Sequence, residues 1–308
     1  ENIVAETLGV SQSKWRLTRL EGEEGFPLCS SVKSFKDFKR FRKTIESVAN
    51  SSNFDRKSSV FLQKEMKKLN FNPLINYCKG IGIGCSQGVA GFSNHFSSRL
   101  GYEVSITYTE DKKVLVSIGM VINRTAANIW KKVIKSVLDV EEENILFKNI
   151  NAEGVDDFGP NTMSRKLGIV PQLLLQACED IKRKMEFSRL PLTVTTQSEV
   201  LLSDPFYTST FFGSMVIEIH LDTISLLPVI DRVWASLSFG RILSKDLLED
   251  TIRRSISATI SELCPVSSGD FELKLELLEN PELPITSGTS AIKAITASAR
   301  TKAISQAV

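Results

Sequence analysis

Histidine is nearly missing from this chain: His95 and His220 are the only two in 308 residues, far apart and with no carboxylate pair at ligand spacing. That scarcity argues against a metal held directly by side chains, which needs several imidazoles, thiolates or carboxylates converging on one point. Cysteine is also thin. Cys29, Cys78, Cys85, Cys178 and Cys264 are odd in number and scattered, a pattern that gives neither an iron–sulfur nor a zinc signature and suits a reducing compartment. An excess of one charge is lacking too, with 38 basic against 36 acidic residues, so a mainly nucleic-acid-binding or acidic-ligand protein is disfavoured. No apolar run is long enough to cross a bilayer, and residues 1–30 lack the charged, apolar and small-residue succession of a signal peptide. The expectation is a cytoplasmic protein without membrane or nucleic-acid partners. The chain begins at Glu1 rather than at a methionine, as a trimmed or processed piece would.

What is present is a pattern written twice. In the first copy, residues 103–186, Val104, Ile106 and Tyr108 alternate against Ser105 and Thr107, turn at residues 110–113, and return through Val114 to Ile118. Period two with a polar turn predicts a hairpin. Ala126, Ile129, Trp130, Val133, Ile134, Val137 and Leu138 then recur at helical spacing. A short strand at Ile145 to Phe147 follows, and a second helix carries Leu174, Leu175, Cys178, Ile181 and Met185, with Pro171 near its start. The second copy, residues 214–306, repeats the order. Met215, Ile217, Ile219 and Leu221 alternate, a turn falls at residues 222–225, and a return strand starts irregularly at Pro228. A helix with Leu248, Ile252, Ile256 and Ile260 comes next, then an alternating strand from Phe271 to Leu277. A last helix with Ala291, Ile295 and Ala299 is capped near residues 287–290. The fold class that follows is α+β: two related two-layer α/β sandwich units, hairpin-helix-strand-helix twice, behind an N-terminal helical segment. The expected domains are 1–79, 80–190 and 191–308.

In the N-terminal segment a short helix is expected near residues 3–8 and a longer one over 35–48, with Ser34 and Asp37 placed like a capping box. Lys36, Lys39, Arg40, Arg42 and Lys43 crowd the longer helix. They read either as a solvated face or as a nucleic-acid contact, and the absence of aromatics among them favours the solvated face. A break is expected at residues 51–53. The glycines at 80, 82 and 84 lack the spacing of a P-loop; they read better as a strand passing close to another backbone or to a ligand. Loops that precede helices are the natural anion sites, because helix N-termini offer unpaired N–H groups. Residues 119–125, 157–165 and 279–288 are such loops, and Thr162, Ser164 and Arg165 could wrap an anionic head group; an ordinary polar connection is the alternative.

At these residues the chain resembles the molybdenum-cofactor (molybdopterin)-binding subunit of the xanthine dehydrogenase and aldehyde oxidase family, in its C-terminal part. Residues 5–9 look like the helix just after the family's front cofactor lobe, and residues 80–92 with the hairpin over 103–119 resemble its glycine-rich strand and hairpin. Gly159-Pro160-Asn161-Thr162-Met163-Ser164-Arg165 is similar to its Gly-Pro-Thr-x-x-Ser-Arg loop. Phe212-Gly213 and the stretch Ala235 to Arg241 look like the hairpin ending in its Asp-x-Gly-Arg turn. Departures are present as well. Asn123-Arg124-Thr125 stands where the family has Gly-Gln-Gly, Ser255-Ile256-Ser257-Ala258 where it has Gln-x-x-Gly, and the Gly-Glu-Pro motif is not intact. Counting back from Ala291 places its glutamate at Glu279, with Glu282 as the fallback.

The resemblance implies a molybdenum hydroxylase that oxidises a purine, another N-heterocycle or an aldehyde with water as oxygen source. Glu279 would be the general base, and Arg124, Thr162, Ser164, Arg165 and Ser255 would be the cofactor contacts. Molybdenum would be held by the pterin's own sulfurs, with no protein metal ligand. A separate front lobe and iron–sulfur and flavin (FAD) partners are implied, and a homodimer is compatible with it. The alternative is a degenerate, non-catalytic scaffold subunit of the same fold.

Overall fold

The computed structural model describes residues 2–20, 35–68, 77–90, 102–120, 122–148, 165–198, 209–222, 224–225, 227–263, 271–281 and 288–307. Helices α1 (Asn2–Thr7), α2 (Gln12–Arg19), α3 (Phe35–Ser52) and α4 (Phe54–Lys68) open the chain. α1 and α3 fall where expected, and Asn53, at φ 53°, is the left-handed break between α3 and α4. α2 has no apolar stripe to betray it: its buried side is Gln12, Ser13 and Arg16. The Ser34 cap lies outside the described residues. Strand β1 (Tyr77–Ala90) follows.

Two compact units emerge. One is split along the chain (residues 1–88, 210–280 and 288–308), and the other is inserted in it (89–209 and 281–287). In the inserted unit, β2 (Tyr102–Tyr108) and β3 (Val114–Ile118) form the expected hairpin. α5 (Arg124–Leu138) leads to β4 (Ile145–Lys148), parallel to β3. α6 (Arg165–Met185) returns to β5 (Leu192–Ser198), which pairs antiparallel with β2. The sheet order is β4-β3-β2-β5. Val104, Ile106, Val114, Val116 and Ile118 meet Trp130, Ile134, Leu174 and Ile181 in one core, as period two against period 3.6 requires. Pro171 differs from expectation. It sits inside α6 rather than at its start, where it forgoes one helical hydrogen bond; the buried Val170, Leu173 and Leu174 on either side of it hold the helix to the core.

The split unit contains β6 (Ser209–Asp222), β7 (Pro228–Phe239), α7 (Lys245–Leu263), β8 (Glu272–Glu279) and α8 (Thr289–Ala307). β6 and β7 are antiparallel, β7 and β8 parallel, and the order is β1-β6-β7-β8. One sheet face packs on α7 and α8 through Met215, Ile217, Ile256, Ile295 and Ala303. The other face carries Phe212, Val216 and Trp234 against Phe41, Ile45, Phe54 and Phe61 of α3 and α4. The N-terminal helices thus add a third layer here. The β1 glycines make that strand's close contact with α8: a Cβ on Gly80 would stand 2.0 Å from the Ala303 carbonyl oxygen, and one on Gly82 2.2 Å from that of Ala299. This is the close backbone approach expected of a glycine-rich strand.

The duplication is therefore real in three dimensions, an α+β fold built from two related units. Each has a hairpin, a helix, a strand parallel to the hairpin's second strand, and a second helix. The fourth strand differs in origin: β5 follows its unit, whereas β1 precedes its own by more than a hundred residues. The sheets thus divide the chain differently from the expected boundaries at 80 and 191, because each edge strand pairs with the unit on the far side of its boundary. No helix among the described residues is long and apolar enough to cross a membrane.

Candidate functional site

The helices of each unit begin on one edge of its sheet. In the inserted unit α5 joins the parallel strands β3 and β4, so it must run back against them. β5 is antiparallel to β2, as β3 is, so α6 must run back as well. Arg124 and Arg165, the first residues of α5 and α6, therefore share the edge at the C-terminal ends of β3 and β4. Arg124 is exposed. Asn123 caps its helix by accepting the Ala126 N–H at 2.7 Å, which leaves the amides of Arg124 and Thr125 facing out of the first turn. A cation beside the first-turn amides of a helix is chemistry that suits an anion. Thr162 and Ser164 lie outside the described residues, as do Glu282 and the Arg165 side chain.

The split unit repeats the arrangement. Glu279 ends β8 opposite Phe239 at the end of β7, and α7 starts six residues after Phe239. The residue before α8, Gly288, lies against the Phe211 ring, which itself packs 4.9 Å from the Phe239 ring. Glu279 is exposed, and its Oε1 accepts the Ile242 N–H at 2.8 Å. Ser255 is elsewhere. It lies ten residues into α7, about 15 Å along the axis at 1.5 Å per residue, buried in a stripe with Ile252, Ile256, Thr259 and Ile260. The structure does not bring it to the edge where Glu279 lies.

A charged cluster that the sequence did not single out occupies the opposite end of the same sheet. Glu218 pairs with Arg232 and Ile219 with Ile230, so Asp231 is the extra residue of a β-bulge. The bulge places Asp231 Oδ1 2.6 Å from His220 Nδ1 and Oδ2 3.8 Å from Lys79 Nζ. Lys57 Nζ donates to the buried Glu218 at 2.6 Å and lies 4.4 Å from the Trp234 ring centre. A cavity of about 530 Å³ opens between Tyr77, Lys79, Glu218, His220, Asp231, Arg232 and Glu272. Its positive and negative side chains offset one another, which marks a self-compensated network tying α4 to the sheet. No sequence pattern announces it, because a bulge is a property of pairing and not of one strand. No group of three or more His, Cys, Asp or Glu among the described residues is arranged to hold a metal ion.

No family model matches the sequence, and no curated protein matches it. Solved structures do resemble it. A Cu,Mo-containing CO dehydrogenase matches 99% of this chain with a TM-score of 0.73 at 11% identity, over 47% of its own length. Quinoline 2-oxidoreductase from Pseudomonas putida 86 matches 98% at TM-score 0.70 and 14% identity, over 47% of its chain. Aldehyde oxidoreductase from Desulfovibrio gigas matches 99% at TM-score 0.67 and 14% identity, over 37% of its chain. The chain thus spans less than half the length of each of these neighbours, and across nearly all of its residues it has the fold of that part of them.

Proposed function

We propose that this chain is the C-terminal part of a molybdenum-cofactor-binding subunit of the xanthine dehydrogenase and aldehyde oxidase type, working in the cytoplasm on an N-heterocycle or an aldehyde. One observation carries the reading: a likeness of fold to molybdenum-type oxidoreductases over 98–99% of the chain, despite 11–14% identity. The residues present fit an anionic cofactor, since Arg124 and Arg165 begin helices on one sheet edge and the first-turn amides of α5 point outward there. The molybdenum cofactor, its metal held by the pterin's own sulfurs, would supply the two-electron chemistry that lets a water oxygen join an electron-poor carbon. The chain's own share is to bind and to move a proton. Arg124 and Arg165 neutralise and orient the anionic end, and Glu279 accepts the proton from the incoming oxygen on Oε2, the carboxylate oxygen that Ile242 does not occupy. A base at an exposed strand end needs covering to exclude water, and in this reading a front lobe outside this chain provides the cover. Iron–sulfur and flavin partners take the electrons.

A second reading is a degenerate scaffold subunit. It is favoured by Ser255, which lies buried in mid-helix away from the strand ends, and by Leu278-Glu279-Asn280-Pro281 standing where Gly-Glu-Pro is intact in the family. Producing the chain together with a front lobe and electron-transfer partners, then measuring molybdenum and pterin, separates the two. Stoichiometric metal and pterin are expected; a well-folded complex with neither would replace the first reading by the second.

A further inference from the structure

Arg40, on the charged face of α3, has a specific task. Arg40 Nε donates to Ser238 Oγ at 3.0 Å and Nη2 to the Phe239 carbonyl at 3.1 Å. Its guanidinium lies 5.6 Å from the Phe212 ring centre, and that ring stacks at 5.2 Å on Phe41, the next residue of α3. The arginine is therefore held in place from its own helix. The Phe239 carbonyl has two lone pairs, and the second takes the Asn280 N–H at 3.2 Å. Phe239 is also the ladder partner of Glu279, and Glu279 Oε1 in turn accepts the Ile242 N–H, three residues beyond Phe239.

These contacts form a closed circuit at the ends of β7 and β8. Arg40 fixes the Phe239 carbonyl, that carbonyl fixes the backbone after Glu279, and the Glu279 carboxylate fixes the chain leaving β7. Every member belongs to the split unit. We infer that Arg40 is a positioning residue for the Glu279 carboxylate, acting through Phe239 and Asn280 from a helix about two hundred positions away in sequence. The catalytic consequence rests on the reading of Glu279 as the base; the geometric one does not. Lysine cannot replace arginine here, because two acceptors on adjacent residues of one strand need the planar fork of donors.

The test uses the full chain without cofactor and reads amide exchange residue by residue. In Arg40→Met the Ile242 and Asn280 amides should exchange about tenfold faster or more, as expected when a hydrogen bond involving a charged group is lost. Amides of β6 from Met215 to Ile219 should keep their rates, and Arg40→Lys should recover the protection only in part. Unchanged exchange at Ile242 and Asn280 would overturn the inference, and so would equal acceleration throughout β6 and β7, which would make Arg40 an ordinary packing strut. Should the methionine variant fail to fold, the lysine variant is read by the same criteria. In a molybdenum-loaded complex, Arg40→Lys should lower kcat and leave KM in place; turnover unaffected while the two amides open would overturn the positioning role. A complex that holds no molybdenum sinks the functional reading alone and leaves the exchange result standing.

Discussion

Glycine and cysteine show how single residues are fixed by what surrounds them. Gly82 has no room for a side chain: a Cβ would meet the Ala299 carbonyl oxygen at 2.2 Å and the Ala303 amide nitrogen at 2.5 Å. Both are backbone atoms of α8 and cannot rotate aside. Gly82→Ala should therefore cost about 3 kcal/mol, the upper end for overpacking, as a lower urea midpoint with little change in slope. Cys178 is buried in the core of the inserted unit. Burial first, and the neighbouring Glu179 second, push its thiol up to about 12. Thiols react as thiolates, and at pH 9 only about a thousandth of such a thiol is ionised, against most of an ordinary one. Iodoacetamide at pH 9 should leave Cys178 unmodified in the native chain and label it on unfolding, while the half-buried Cys78 and Cys85 react first. Mass spectrometry of the digest reads the order, and early labelling of Cys178 would contradict its burial.

Elements were legible where one strand or helix face carries its own message. The β2–β3 hairpin, α5, the second half of β6, and β8 follow from alternation or helical spacing within each segment, and the break at Asn53 follows from a residue type that tolerates the left-handed region. α2 was hidden, because it buries Gln12, Ser13 and Arg16, and Arg16 donates to the carbonyls of Gln12 and Ile83. Such a helix, tied in by Ser13 to Asp55 and by Arg16 to the Ile83 carbonyl, with Leu17 packed on the core, shows no clear apolar period. α5 also has a local start signal that can be tested on its own. Its Asn123 side chain accepts the Ala126 N–H, and Asn123→Ala should lower stability by about 1 kcal/mol, read from chemical denaturation. Asn123→Asp should restore most of it; equal losses in both variants would mean that the cap contributes nothing.

At the scale of the whole molecule the decisive experiment concerns Glu279. In a molybdenum-loaded complex, Glu279→Gln should abolish turnover while metal and pterin stay bound, since the amide keeps a carbonyl oxygen for the Ile242 N–H but cannot accept the proton. Full activity in that variant would move the role to Glu282 or discard it. Of the candidate residues, Arg124 and Arg165 belong to loops that the sequence places before helices, whereas Glu279 rests on the resemblance alone, by counting back from Ala291. Ser255 stands where the family's Gln-x-x-Gly falls, and a motif position does not say which face of a helix is buried. Arg40 reads in the sequence as one charge among five, and its contacts with the Phe239 carbonyl, the Ser238 hydroxyl and the Phe212 ring distinguish it. By itself the sequence determined the repeated hairpin-helix-strand-helix pattern, since period two and period 3.6 are local properties written into each segment. The tertiary structure alone decided that β1 and β5 each complete the unit on the far side of the expected boundary. It also decided that Asp231 bulges toward His220 and that α3 reaches the end of β7. Strand pairing, bulges and long-range hydrogen bonds join residues far apart in the chain, and neither partner's own neighbourhood in sequence carries a trace of the other.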